Sequence, residues 1–162
     1  MNNKQKLFVG VFVVVLLAVG VGWFVGTDEP FCSTVTYDGE GTEENPYEVG
    51  DVRQLQCIEE QSLYANYVQV SDIDASETSG FTPIGEGDPE FTGRFDGQGY
   101  NITNLTINRR GWYVGLFGWV GVSGEVRNVS LVDVDITGGN GVGSLVGSNE
   151  GMVSNRHPRQ DR

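Results

Sequence analysis

An all-β solenoid, a short parallel β-helix preceded by one transmembrane helix, is the fold class this sequence predicts. Three observations carry that expectation. Leu7 through Val25 is a 19-residue run without a charge. From Gly80 onward the chain is built of short apolar runs punctuated by glycine, of which there are 24 in all. Those runs repeat with a period in the twenties, as expected of a fold in which each coil covers the last.

The apolar run comes first in the chain. As a helix rising about 1.5 Å per residue it nearly matches a hydrocarbon core of about 30 Å. Lys4 and Lys6 precede it and Asp28 and Glu29 follow it. The positive-inside rule therefore puts the N-terminus in the cytoplasm and the chain from Thr27 onward outside. The competing reading is a cleaved signal peptide, whose apolar region is shorter and ends at a small-residue site. Only Gly20-Val21-Gly22 resembles such a site, so residues 1–26 are expected as an anchor, with a signal as the alternative. Gly22 and Gly26 form a G-x-x-x-G pair, but at the membrane edge, where helix pairing through them carries little weight.

Charge bounds the partners. The chain has 22 acidic and 10 basic residues, a net charge of −12, and both lysines lie before the apolar run. Such a surface repels nucleic acid and anionic headgroups, so neither is an expected partner. Dense carboxylate without lysine suits a protein that stays hydrated in concentrated salt, where self-repulsion is screened. A halophilic source is expected; an ordinary acidic secreted domain is the alternative. Cys32 and Cys57 both follow the apolar run, and an oxidising exterior would allow one disulfide between them, two buried free thiols being the other reading. With one histidine, His157, no zinc shell can be completed, and neither a metal nor a cofactor is expected.

Residues 27–50 are polar and broken by glycine and proline, and read as a linker. Asp51-Val52-Arg53-Gln54 is a capping box, and Val52, Leu55 and Ile58 recur at helical spacing, so 52–62 is expected as a short amphipathic helix. After Tyr64, Val68 and Val70 alternate with Gln69 and Ser71 as in a strand. In the repeating region, Ile102-Thr103-Asn104-Leu105-Thr106-Ile107 matches Val126-Arg127-Asn128-Val129-Ser130-Leu131 and then Val153-Ser154-Asn155. Between them lie Val114-Gly115-Leu116-Phe117-Gly118 and Val142-Gly143-Ser144-Leu145-Val146-Gly147. Leucine-rich repeats share the period but need a leucine framework that is absent here. Glycines are expected to supply positive φ at the coil corners. Residues 51–155 thus form the expected helix-capped solenoid, and 156–162 a polar tail.

The stretch Val142 to Asn155, with Gly143, Gly147 and Gly151, resembles the GLUG motif of bacterial and archaeal surface proteins. Gly41-Thr42 through Tyr47 and Ser71 to Asp74 are similar to the lead-in of such chains, and Phe91 to Ile102 to their first coil. The resemblance covers about residues 40–155. It implies a right-handed, pectate-lyase-like β-helix exposed at the cell surface, often in adhesin-like or multidomain proteins, and it carries over no catalytic residues. It also departs from the family in copy number: the copy from Val114 to Asn128 is degenerate, and the chain stops straight after the clear one. A product truncated relative to longer relatives is one expectation, a polar tail or an end covered by a partner chain the others.

Candidate chemistry is sparse. Asn104, Asn128 and Asn155 share a place in the repeat and would form a ladder of stacked amides. Asn104 and Asn128 also head glycosylation sequons, as does Asn101, the preferred carrier. Asp133 and Asp135 flank Val134, with Val132, Val134 and Ile136 expected inward; a solvated face outweighs an acid–base pair there, and likewise at Asp72 and Asp74. Asp88, Glu90 and Asp96 lack the spacing of a calcium loop. Trp112, Tyr113, Phe117 and Trp119 cluster within eight residues, and Phe117 is expected to point into the coil. Trp112 and Trp119 are weak candidates for a platform on which a sugar ring stacks, with packing against the next coil or a neighbouring domain as the other reading. Arg127 is expected to be the only arginine on a coil strand and to lack an acidic neighbour, which disfavours a lyase base. The function expected is a non-enzymatic surface or envelope module for adhesion, structure or display, meeting surface glycans or envelope proteins. A carbohydrate-active enzyme, a lyase or hydrolase, is the alternative by fold analogy.

Overall fold

The computed structural model describes residues 31–78 and 80–155. The expected anchor over 7–25 and the tail 156–162 with His157 lie outside the described residues. Among those that are described, no helix is long and apolar enough to cross a membrane.

The described chain is an all-β parallel solenoid of about three turns. Strand β1 (Tyr47–Val49) leads through helices α1 (Val52–Gln56) and α2 (Ile58–Gln61) into β2 (Asn66–Gln69) and β3 (Ile73–Asp74). One full coil follows: β4 (Arg94–Asp96), β5 (Asn101–Thr103), β6 (Thr106–Asn108), β7 (Trp112–Val114) and β8 (Phe117–Val120). The next repeats it as β9 (Glu125–Arg127), β10 (Ser130–Val132), β11 (Asp135–Thr137), β12 (Asn140–Val142) and β13 (Val146–Asn149), and β14 (Met152–Ser154) begins another. Every named pairing is parallel, and one five-stranded sheet, β1-β2-β4-β9-β14, runs the length of the stack.

Register places like on like. Ile102 lies between Ile73 and Leu131, and Phe95 between Tyr67 and Val126. Ile107 pairs with Ile136, and Phe117 with Val146. The inward Ile102, Ile107, Phe95 and Phe117 are fully buried. Phe91 and Phe95 close on Phe117 at ring-centroid distances of 5.0 and 5.5 Å and fill the lumen.

Several expectations need correction. The coil is about 29 residues long, as the Ile102–Leu131 pairing shows. The 24-residue match of 102–107 with 126–131 compares adjacent sides of successive coils, because both are a strand, an Asn corner and a strand. Val126 does stack under Val153, but Ile102 belongs to another sheet. The segment read as a linker contributes β1 to the long sheet, and its Tyr37 and Tyr47 rings pack on Tyr67 at 6.0 and 5.6 Å. The expected single helix breaks at Cys57, where φ −87° and ψ 2° leave the helical range. Its capping box is half as expected. Asp51 accepts from the Gln54 amide at 2.8 Å, but the Gln54 side chain accepts from Gly50 rather than from Asp51. In β2 it is Tyr67 and Gln69 that face inward while Val70 is 40% exposed, a one-residue slip that flips a strand's faces. Val132 likewise faces out, since the corner at Asp133 restarts the alternation.

Corners are not the preserve of glycine. Asn104, Asn128 and Asp133 hold positive φ values of 58°, 52° and 53°, the left-handed region that Asn and Asp tolerate best. Gly143, Gly147 and Gly151 serve differently, by lacking a side chain. A Cβ on Gly147 would lie 2.4 Å from the Tyr113 backbone, and one on Gly151 2.3 Å from the Gly124 carbonyl. On Gly143 it would meet the Val146 carbonyl at 2.2 Å.

Cys32 and Cys57 are joined as a disulfide across 25 residues, tying the lead-in to the buried side of the helical cap. Closing a loop of that length removes unfolded-state entropy worth about 3 kcal/mol. Reduction, or a Cys32→Ser/Cys57→Ser double variant, should therefore lower the melting temperature by roughly 10 °C while far-UV circular dichroism keeps its β signature. Equal melting of the oxidised and reduced forms would show that the cap does not depend on the bridge.

Candidate functional site

Two outward-facing clusters gather the polar and aromatic side chains. The first lies on the long sheet, where strand alternation turns Arg94, Asp96, Glu125 and Arg127 away from the Phe95 and Val126 core positions. Arg127 places Nε 2.8 Å and its terminal nitrogen 2.6 Å from Asp96 Oδ2, a charge-assisted pair across the coil boundary. Glu125 lies 3.5 Å from Arg127 and 3.1 Å from Arg94, the latter an ion pair without hydrogen-bond alignment, and Glu43 lies 3.3 Å from Arg94. Arg127 thus has carboxylates both below and beside it, and Arg94 stands on a coil strand too, contrary to expectation. Register brings these groups together, and a list of residues along one chain does not reveal it.

Asp96 is the hub. It is buried, and besides Arg127 it accepts from the Gln98 amide and from Asn128 Nδ2, each at 3.0 Å. Burial pushes its pKa up, but the hydrogen bonds from Asn128, Gln98 and Arg127, with the Arg127 charge, outweigh that and hold it below the usual carboxylate value. Held ionised and saturated with donors, it is poorly suited to proton transfer and is a structural staple. Asp74 is similar in kind: Asn104 Nδ2 donates to it at 3.0 Å, and its pKa is lowered by that bond and by Ser76.

The asparagines do not form a buried amide ladder. Asn128 and Asn155 share one column, but Asn155 is exposed and spans the Val129 backbone, accepting from its N–H and donating to its carbonyl at 3.0 Å each. Asn104 belongs to a second column, beneath Asp133, and is exposed. Of the sequon residues, Asn101 is half-buried and accepts from the Ser130 hydroxyl at 2.8 Å, while Asn104 is exposed with its Nδ2, the atom a glycan would take, donating to Asp74. Asp133 at the corner and Asp135 at the start of β11 are both exposed.

The second cluster is aromatic. Trp112 opens β7 and is 66% exposed; Tyr113 follows it, and Trp119 is half-buried on β8. The rings are contiguous, with centroids 6.4 Å apart for Trp112–Tyr113 and 5.8 Å for Tyr113–Trp119. The structure thus brings Trp112 and Trp119 together through Tyr113, with which sequence spacing groups them. Glu86 borders them: its Cα lies 2.8 Å from where Gly118 would carry a Cβ, and its Oε1 3.7 Å from the same point on Gly111. Arg109 pairs with Glu86 at 3.0 Å and bonds Thr82 at 3.2 Å. Nearby Glu59 accepts from the Gly85 amide at 2.6 Å, and its pKa is raised by burial and by the Glu86 charge against that hydrogen bond. Among the described residues no group of three His, Cys, Asp or Glu side chains is placed to hold a metal ion; Asp96, once weighed with Asp88 and Glu90, is committed to Arg127.

Fold and surface together define a class: a parallel β-solenoid domain whose outward faces carry ion-pair ladders and one aromatic ledge. Comparison with known proteins bears on the fold and on two relatives in sequence. The chain is 42% identical over 136 residues to Halomucin of the halophilic archaeon Haloquadratum walsbyi, covering 75% of this chain and 2% of that protein. It is 39% identical over 133 residues to an Evansella cellulosilytica protein described as a Gly-rich membrane protein, covering 76% of this chain and 15% of that one. This chain thus spans only 2% and 15% of the length of these two relatives. A Bacteroides ovatus structure described as an immunoglobulin A1 protease superposes with a TM-score of 0.57 at 24% identity, over 66% of this chain and 32% of that one; the likeness is one of fold. No protein-family profile matches the chain.

Replacing Asp96 tests the hub. At neutral pH, Asp96→Asn should cost about 2 kcal/mol, as a charged hydrogen-bonding group lost from a buried site. Because the folded pKa lies below the unfolded one of about 3.9, this stabilisation is present above the unfolded value and lost as pH falls through the folded one. Denaturant unfolding at pH 7 and pH 3 should therefore show the gap between wild type and variant narrowing at acid pH. A gap that is constant or widens would refute the depressed pKa.

Proposed function

We propose that this chain is a non-enzymatic module of the cell surface or envelope, a short right-handed β-helix held outside the membrane by residues 7–25. Its role is adhesion, structure or display, with envelope glycans or proteins as partners. The observation that carries this reading is the similarity to Halomucin over three-quarters of the chain, joined by the similarity to a protein described as a membrane protein. Lysine-free acidity beyond Gly26 suits the salt-rich setting in which the first relative's organism lives. Right-handedness follows the general preference of parallel crossover connections and the resemblance of 142–155 to the GLUG motif. The relatives' own activities are those of much longer proteins.

The enzymatic alternative gains no support from Arg127, whose guanidinium is engaged by Asp96 and Glu125. A base would have to shed both contacts first.

Membrane-impermeant labelling of intact cells tests the reading. The solenoid should be labelled from outside and an N-terminal epitope only after lysis. Labelling of the solenoid only after lysis would overturn the surface assignment. Recovery of a chain lacking residues 1–26 from the medium would replace the anchor by a signal. A polysaccharide screen adds a second check: turnover that disappears in Arg127→Ala would reinstate the enzyme.

A further inference from the structure

We propose that the ledge of Trp112, Tyr113 and Trp119, rimmed by Glu86 and Arg109, binds an uncharged pyranose glycan. The proposal rests on the surface-module reading and names what that surface would hold.

The ledge is held at a cost to the fold. A lone exposed apolar side chain is ordinary, but an indole 66% exposed at the end of three contiguous rings is not a scattered residue. Tyr113 adopts φ 57°, a left-handed conformation that a bulky side chain rarely takes and that stores of the order of 1 kcal/mol or more. This backbone sets the Tyr113 ring between the two indoles. The coil above makes room for it: a Cβ on Gly141 would lie 2.9 Å from Tyr113 Cδ1. Trp119 Nε1 is enclosed and has no hydrogen-bond partner among the described residues, a donor whose desolvation nothing nearby offsets.

The rim supplies the complementary chemistry. Glu86 and Arg109 are each about a third exposed, at 28% and 33% of their side chains, so the ion pair still presents acceptor and donor atoms to solvent. Sugars offer just this pairing of surfaces: a C–H face that stacks on an aromatic ring and a hydroxyl edge that hydrogen-bonds to carboxylate and guanidinium. The net charge of −12 selects among sugars, since it repels uronates and sulfated chains and leaves neutral hexopyranoses as the fitting class. A protein partner would also bury the ledge, but the one-third-exposed ion pair at its border would then lose water on both members, which is costly without new partners.

The test is calorimetric titration of the full-length chain at about 0.1 M salt, where screening over about 10 Å leaves the net charge effective, in a detergent without a sugar headgroup. The ligands are neutral gluco-, manno- and galacto-oligosaccharides of six units, with oligogalacturonate as the anionic comparison. At least one neutral series should bind and the anionic one should not. Trp112→Ala, at an exposed site, should weaken binding about tenfold with an unchanged melting temperature. Glu86→Gln should weaken it as well, which the loss of stacking alone would not explain. Absence of binding by every neutral series at millimolar concentration would overturn the proposal. So would undiminished binding in Trp112→Ala, or self-association of the chain that Trp112→Ala abolishes. Surface labelling of cells reads location without sugar, so its failure is distinguishable from failure here.

Discussion

Parallel strands can stack into a coil only if each residue stands over its counterpart at about strand spacing, and every other feature of this molecule follows from that requirement. Ile102 is shielded by Ile73 below and Leu131 above; Phe95 sits in the same way between Tyr67 and Val126. Burial is therefore a property of the column rather than of the residue. Ile102, Ile107 and Phe117 are fully buried, whereas their upper-coil counterparts Leu131, Ile136 and Val146 are half-buried. The same spacing bears on the backbone at the corners, where Gly147 and Gly151 are needed because any Cβ would collide with the coil beneath.

A stack shielded neighbour by neighbour needs something to begin it. Here α1 and α2 place Leu55 and Ile58 in the core, and the disulfide draws the segment from Cys32 across them. Tyr37, Tyr47 and Tyr67 then pack as a triangle at ring distances of 5.5 to 6.0 Å. Polar cap residues tie the same layer together, with Gln54 bridging Gly50 and Thr36 at 2.8 Å each.

Outward positions are freed from the core's demands and so record the setting. On the long sheet they form an ion-pair ladder in which Asp96 and Arg127 cross a coil boundary, fastening successive coils from outside as the lumen fastens them from within. Elsewhere they are acidic, or, at β7 and β8, aromatic.

Composition and periodicity determined much on their own: the solenoid class, the capping helix start at Asp51, the pairing of Val114 with Val142 and the inward Phe117. These depend on local pattern, and local pattern is written in the chain. The period in the twenties holds, but Ile102 and Val126 fall on different sides of the coil, because a strand–Asn–strand unit recurs within a coil as well as between coils. Which asparagines share a column, that Arg127 meets Asp96, and that Tyr113 joins two tryptophans were decided only by tertiary register. Each joins residues on different strands or coils, and a shift of one side of the coil would bring a different set together while leaving every local pattern as it is.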